Sequence, residues 1–198
     1  MSATNLDFQS IHDDFRPRIL RYLTRLVGES EAEDLTQSVM LKVSEALRDF
    51  RGDSSVSTWI YRIATNAALD KLRGKATLAV SDAEFESDDG DVPLAAQTTS
   101  VEKTAIREEM NACIREFIER LPETHKTVMV LSELEEFKNA EIAAILGISL
   151  DTVKIRLHRA REKLRKELNA GCDFYRDECE DLACDRKPTT VIKFRPRI

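Results

Sequence analysis

Between Leu150 and Leu168 the chain carries seven Lys or Arg residues against three acids, and their spacing suits one kind of chemistry. At about 100 degrees per residue, Asp151, Ile155, His158 and Arg159 share one side of a helix, with Lys154 beside them. Val153, Leu157, Ala160 and Leu164 recur on the opposite side and must pack inward. The outward strip offers cations for phosphates, hydrogen-bonding groups for base edges, and one apolar side chain that could meet a thymine methyl. A second constellation lies upstream. Trp59, Arg62, Asn66 and Arg73 fall in a sector about 60 degrees wide, while Ile60, Ile63, Ala64 and Ala67 line another side. A planar ring, an amide and two guanidiniums on one strip suit stacking on exposed bases and bonding to phosphates.

These groups need rigid elements to hold them. Before the basic helix, Ile142, Ala143 and Leu146 share one face of a short helix that Asn139 can cap. Gly147 supplies the left-handed residue that ends this helix, and Ser149 caps the next. The pair reads as a helix-turn-helix, which places the start of its second helix in the DNA major groove. An ordinary surface hairpin with a solvated charged face is the plainer alternative. For Trp59 the alternative is a half-buried core residue, and for Asn66 a surface amide.

Three further helices are expected upstream. Phe8, Ile11, Phe15, Ile19, Leu23 and Leu26 keep helical spacing until Gly28. Ser30 with Glu33 predicts a capping box for a second helix bearing Leu35, Val39, Val43 and Leu47. A third follows the Gly52–Ser57 loop and reaches about Arg73. Periodicity then stops, resumes from Ser100 to Leu121, breaks at Pro122 and continues from Thr124. The expected fold is all-α, with two small helical domains joined by a flexible acidic linker. The boundaries are 1–74, 75–99 for the linker, 100–170 for the helix-turn-helix domain and 171–198 for a tail. That tail lacks periodicity and ends in the basic stretch Lys193–Arg197.

The net charge of −6 is unusual for a nucleic-acid binder, because phosphate neutralisation supplies most non-specific affinity. The charge is segregated: Asp82–Asp91 holds six acids and no base. Such a chain should bind free DNA weakly and depend on a partner to hold it there. With six Gly and five Pro in 198 residues, a β-sandwich or barrel is disfavoured. No apolar run is long enough to span a membrane and no leader pattern opens the chain, so a cytoplasmic protein is expected. No phosphate-binding glycine loop, paired catalytic carboxylates or nucleophile constellation stands out. Neither enzymatic activity nor a cofactor is expected.

Three stretches narrow the choice: EAEDLTQSVMLKV (Glu31–Val43), FRGDSSVSTWIYRIATNAALDKLR (Phe50–Arg73) and EIAAILGISLDTVKIRLHRAREKL (Glu141–Leu164). In this order and spacing they resemble the extracytoplasmic-function (ECF) group of bacterial RNA polymerase sigma factors, from about Phe8 to Leu168. The resemblance implies a transcription initiation factor that binds core RNA polymerase, through the β′ clamp helices and the β flap, and directs it to promoters. It implies that Asp34 and Gln37, one turn apart, meet the clamp helices. Trp59, Arg62, Asn66 and Arg73, with the Gly52–Ser57 loop, would seize the minus-ten strand and hold a flipped base. Lys154, Ile155, His158 and Arg159 would read the minus-thirty-five element, with Thr152, Arg156 and Arg161 on phosphates. Relatives often carry a small polar residue at the position of Ile155, so this site departs from the pattern. The acidic segment would thread the polymerase's cationic cleft, and an anti-sigma factor is an expected partner.

Cys113 occupies an apolar helical position and is expected to pack as a small hydrophobe. Cys172, Cys179 and Cys184, spaced by seven and five, form no CxxC pattern. A zinc site would need a fourth ligand such as His158 or a carboxylate, so no metal is assigned. Two rival readings remain: a stand-alone dimeric helix-turn-helix regulator, and a cysteine-based metal or redox sensor that releases DNA.

Overall fold

The computed structural model describes residues 7–76, 113–176 and 182–187. The acidic run at 82–91, the expected helix from Ser100 to residue 112, Cys179 and the basic stretch at 193–197 lie outside the described residues. Helix α1 spans Phe8–Val27 and α2 spans Glu29–Ala46, with a short 3-10 turn at Leu47–Asp49. Helix α3 runs Val56–Ala76. After the undescribed interval, α4 covers 113–119 and α5 covers Glu123–Met129, continuing as a π turn over Val130–Leu134. Helix α6 is Asn139–Leu146 and α7 is Leu150–Gly171. Strands β1 (Cys172–Arg176) and β2 (Leu182–Arg186) pair as an antiparallel hairpin, so the described part of the tail is structured. The all-α reading otherwise holds.

The first body is α1 to α3 packed around Ile19, Tyr22, Leu23, Val39, Val43, Ile60 and Ala64, all fully buried. Asp7 caps α1 by accepting the Ser10 N–H at 3.2 Å. The capping box expected at Ser30 and Glu33 does not form. Helix α2 begins at Glu29 directly after Gly28 (φ 91°), no side chain caps it, and Glu33 pairs instead with Arg16 of α1. A missing cap costs about 1 kcal/mol. Burying Val39, Met40 and Val43 contributes about 1.5–3 kcal/mol each. Packing therefore decides where α2 stands.

The second body is α4 to α7 with the hairpin, built on Phe117, Ile118, Val128, Leu131, Ile142, Ile145, Val153 and Leu157. The two bodies touch through α3 against α6 and through α1 against α5. At this junction the π turn ends at Glu135, and Glu136 takes φ 59°. Glu135 accepts a hydrogen bond from Arg25 of α1 at 2.7 Å and another from the Tyr61 hydroxyl of α3. Tyr61 also meets Phe137 edge-on at 4.7 Å and Tyr22 at 5.0 Å, so one aromatic row crosses from body to body. Buried Lys126 of α5 donates to the Leu26 carbonyl at 3.3 Å, where the last turn of α1 favours a cation. Among the described residues, no helix is long and apolar enough to cross a membrane.

Candidate nucleic-acid interface

The turn between α6 and α7 forms through local chemistry. Gly147 sits in the left-handed region at φ 66°, its N–H bonding to the Ala143 carbonyl, and Ile148 bonds the same carbonyl at 3.2 Å. Ser149 Oγ accepts the Thr152 N–H at 3.1 Å and so caps α7. Asn139 does not cap α6: Lys138 takes that position, and Glu141 reaches back to the Lys138 N–H at 2.9 Å. Ile142 and Ile145 form the buried face of α6, with Ala143 and Leu146 half-buried beside them. Opposite, Val153, Leu157, Ala160 and Leu164 of α7 are buried, as their spacing requires.

That packing turns the proposed reading strip of α7 outward. Lys154 and Arg159 are exposed, and Ile155 keeps 52% of its surface. Thr152, Arg156 and His158 are half-buried at the edge of the strip. The Thr152 hydroxyl bonds to Ser149 Oγ at 2.7 Å, and Arg161 pairs with Glu133 at 2.9 Å. Lys154 lies 3.4 Å from Asp151. Both pairs are solvent-facing and weak enough for phosphates to exchange with them.

Helix α3 is held by its buried stripe of Ile60, Ala64 and Ala67, with Ile63 half-buried. Ser55 Oγ accepts the Thr58 N–H at 3.0 Å and starts the helix, just past the left-handed Gly52 at φ 77°. Arg62, Asn66 and Arg73 are all exposed on one strip, Arg73 lying 3.1 Å from Asp70. Trp59 is half-buried, its ring 5.0 Å from Phe50 in a tilted pair. It therefore fixes the loop before α3 to the helix and offers only part of its ring to a ligand.

On α2, Asp34 and Gln37 are exposed on one face. Leu41, 60% exposed and one turn further, extends that face with an apolar patch. Sequence reasoning missed Leu41, although it stands outside the apolar stripe of its own helix. It also missed Glu135. Among the described residues, no group of three or more His, Cys, Asp or Glu side chains is placed to hold a metal ion.

Comparison with known proteins identifies the family of both bodies. A Sigma-70 region 2 family model matches residues 11–77, covering α1 to α3, and a Sigma-70 region 4 model matches residues 111–164. The ECF RNA polymerase sigma factor SigW of Bacillus subtilis is 34% identical over 165 residues, covering 81% of this chain and 88% of SigW. The RNA polymerase sigma-H factor of Pseudomonas aeruginosa is 36% identical over 161 residues, covering 78% and 82%. In fold, the chain is similar to the sigma factor RpoE in complex with the anti-sigma factor NepR from Bartonella quintana. There the TM-score is 0.60 at 21% identity, covering 82% of this chain and 97% of that one. CnrH in complex with the cytosolic domain of CnrY gives 0.57 at 24%, covering 82% and 88%. With two matched regions in order and identity of this extent, the chain belongs to the ECF family of RNA polymerase sigma factors.

Proposed function

We propose that this chain binds core RNA polymerase, brings it to promoters with matching minus-thirty-five and minus-ten elements, and helps to melt the latter. The observation that carries this reading is the pairing on one chain of two outward strips of different character. The strip on α7 is a helix-turn-helix reading edge for duplex, and Arg62, Asn66 and Arg73 on α3 suit an opened strand. A stand-alone operator-binding regulator has use for the first and none for the second.

In this assignment Lys154, Ile155, His158 and Arg159 read the minus-thirty-five element, while Thr152, Arg156 and Arg161 meet phosphates. Trp59 braces the loop that, with Asn66, bounds the base pocket, and Arg62 and Arg73 hold the strand. Extruding a base costs a few kcal/mol, which stacking and pocket hydrogen bonds must offset. Asp34, Gln37 and Leu41 dock on the polymerase clamp helices, the acid and amide bonding to basic side chains and the leucine burying its methyls. Residues 1–74 serve as the minus-ten and clamp domain, 75–99 as the linker, 100–170 as the minus-thirty-five domain and 171–198 as a tail.

The chain itself performs no catalysis; nucleotide addition belongs to the polymerase, and the protein works in the cytoplasm where that enzyme is. An anti-sigma factor is its proposed inhibitor. Two proteins of similar fold are bound in this way, RpoE by the anti-sigma factor NepR and CnrH by the cytosolic domain of CnrY. Titration of labelled protein with core polymerase tests the reading. Saturable 1:1 binding is expected, together with promoter affinity that the isolated chain lacks. Tight sequence-specific duplex binding by the chain alone, unchanged by polymerase, would favour the dimeric regulator.

A further inference from the structure

Three of the four cysteines, distant in sequence, meet in the second body. In the hairpin Cys172 pairs with Arg186 and Phe174 with Cys184, so Cys172, Cys184 and Arg186 share one face. That face lies over α4. Arg186 pairs with Glu116, and its guanidinium stands 3.5 Å from Cys113 Sγ. Arg186 therefore links the two cysteines: it faces Cys172 across the hairpin and reaches Cys113 with its guanidinium. Cys172 is 2% exposed, whereas Cys113 and Cys184 are half-buried. Cys113 does pack against the core as expected of a small hydrophobe, but a cationic donor also reaches its sulfur. A partly exposed cysteine beside a guanidinium is the setting in which thiols react with oxidants. Neither promoter reading nor polymerase docking uses any of these groups.

We propose that Cys113 and Cys172 form a reversible disulfide in response to hydroperoxides, a redox site that staples α4 to the junction of α7 and the hairpin. Cys113 is the first thiol to react. Its sulfur attacks one peroxide oxygen, the O–O bond breaks, and the departing oxygen takes the proton that the thiol gave up, leaving as water or alcohol. Cys113 is then a sulfenic acid. The Cys172 sulfur attacks the Cys113 sulfur, the S–O bond breaks, and water leaves with the Cys172 proton. Two thiols are oxidised and one peroxide is reduced, and an intracellular thiol reductant reverses the change. Burial pushes the Cys172 thiol up to about 11, which suits it to waiting as the protonated resolving partner rather than reacting first.

The register argues against a bond within the hairpin. Cys172 faces Arg186, so Cys184 is a diagonal neighbour, at a typical spacing of about 7–8 Å between backbones. A disulfide needs Cβ atoms about 3.5–4.5 Å apart. Cys113 comes from a separate helix and meets no such constraint. The closed ring would enclose α4 through α7, so oxidation should raise the thermal transition of this body by about 10 °C.

The experiment uses the full chain, reduced and then treated with hydrogen peroxide near stoichiometry, with free thiols blocked by alkylation before peptide mass spectrometry. The expected product is a peptide pair linked through Cys113 and Cys172, two hydrogens lighter than its parts and cleaved by dithiothreitol. Cys113→Ser should abolish it, whereas Cys184→Ser and Cys179→Ser should each leave it in place. Four freely alkylated thiols after peroxide, a dominant bond that omits Cys113, or thiols protected by tightly retained zinc would each overturn the proposal.

Discussion

The Arg25 guanidinium lies 2.7 Å from the Glu135 carboxylate, joining the end of α1 to the turn that leads into the helix-turn-helix. Glu135 keeps 8% of its side-chain surface and Arg25 keeps 20%, so solvent screens this pair little. The Tyr61 hydroxyl donates to the same carboxylate. One acid thus holds both α1 and α3 against the second body. The geometry has a consequence for promoter binding. Minus-ten and minus-thirty-five sites are about 25 base pairs apart, on the order of 80 Å at about 3.4 Å per base pair. A body of about 70 residues has a radius of gyration near 11 Å, so two such bodies in contact cannot reach both sites. The junction must open when both sites are engaged.

Glu135→Gln should therefore loosen the closed form. Losing the charged hydrogen bonds costs about 1.5–3 kcal/mol of interface. Small-angle scattering of the free protein should show a larger radius than the wild type, with helicity unchanged. An identical scattering curve would assign no latch role to Glu135.

Ile155→Ser tests the departure at the reading strip. An exposed isoleucine can select a thymine methyl, and loss of one base contact costs about 1–3 kcal/mol. Transcription from a set of minus-thirty-five variants should relax about fivefold or more at one position only. Unchanged preference at every position would remove Ile155 from the reading strip.

At the opened strand, Asn66→Ala and Trp59→Ala should differ in kind. Asn66 is exposed, so its loss should slow opening, followed with a fluorescent base in the minus-ten element, while leaving folding stability within about 0.5 kcal/mol. Trp59 also packs on Phe50, so its truncation should lower both opening and stability. Equal stability losses for the two variants would contradict this division.

Leu41→Glu should weaken binding to core polymerase about tenfold or more without destabilising α2, because the side chain is already in solvent. Asp34→Arg on the same face should act alike. Equilibrium titration against core polymerase measures both.

Alkali should detach the hairpin of the reduced protein. Burial first, then the neighbouring Cys113, raises the Cys172 thiol from 9.0 to about 11. A folded-state value above the unfolded one gives stability that is fully present below pH 9. That stability is lost as pH rises from about 9 to about 11. Thermal melts across this range should fall more steeply for the wild type than for Cys172→Ala.

The helix-turn-helix was legible because its determinants are local: Gly147 and Ser149 lie two residues apart, and the α7 stripe repeats within one helix. The α3 strip was legible for the same reason. Glu135 was not, since its partners Arg25 and Tyr61 stand 110 and 74 residues away and the π turn that aims it depends on packing. The hairpin escaped notice because two five-residue strands without β-branched residues carry little periodic signal. The Ser30–Glu33 cap failed where tertiary contacts outweighed a bond of about 1 kcal/mol, and Asn139 lost the cap position to the local bond between Glu141 and the Lys138 N–H. Cys113 was placed on an apolar face, but its approach to Arg186, which faces Cys172 across the strands, needed the folded hairpin.

Run-off transcription with core polymerase, this protein and a pool of genomic promoter fragments tests the central claim most directly. The account predicts discrete transcripts that require the chain and vanish with Asn66→Ala or with Lys154→Ala combined with Arg159→Ala. Absence of any transcript dependent on the chain, with core polymerase proven competent by another sigma factor, would contradict it.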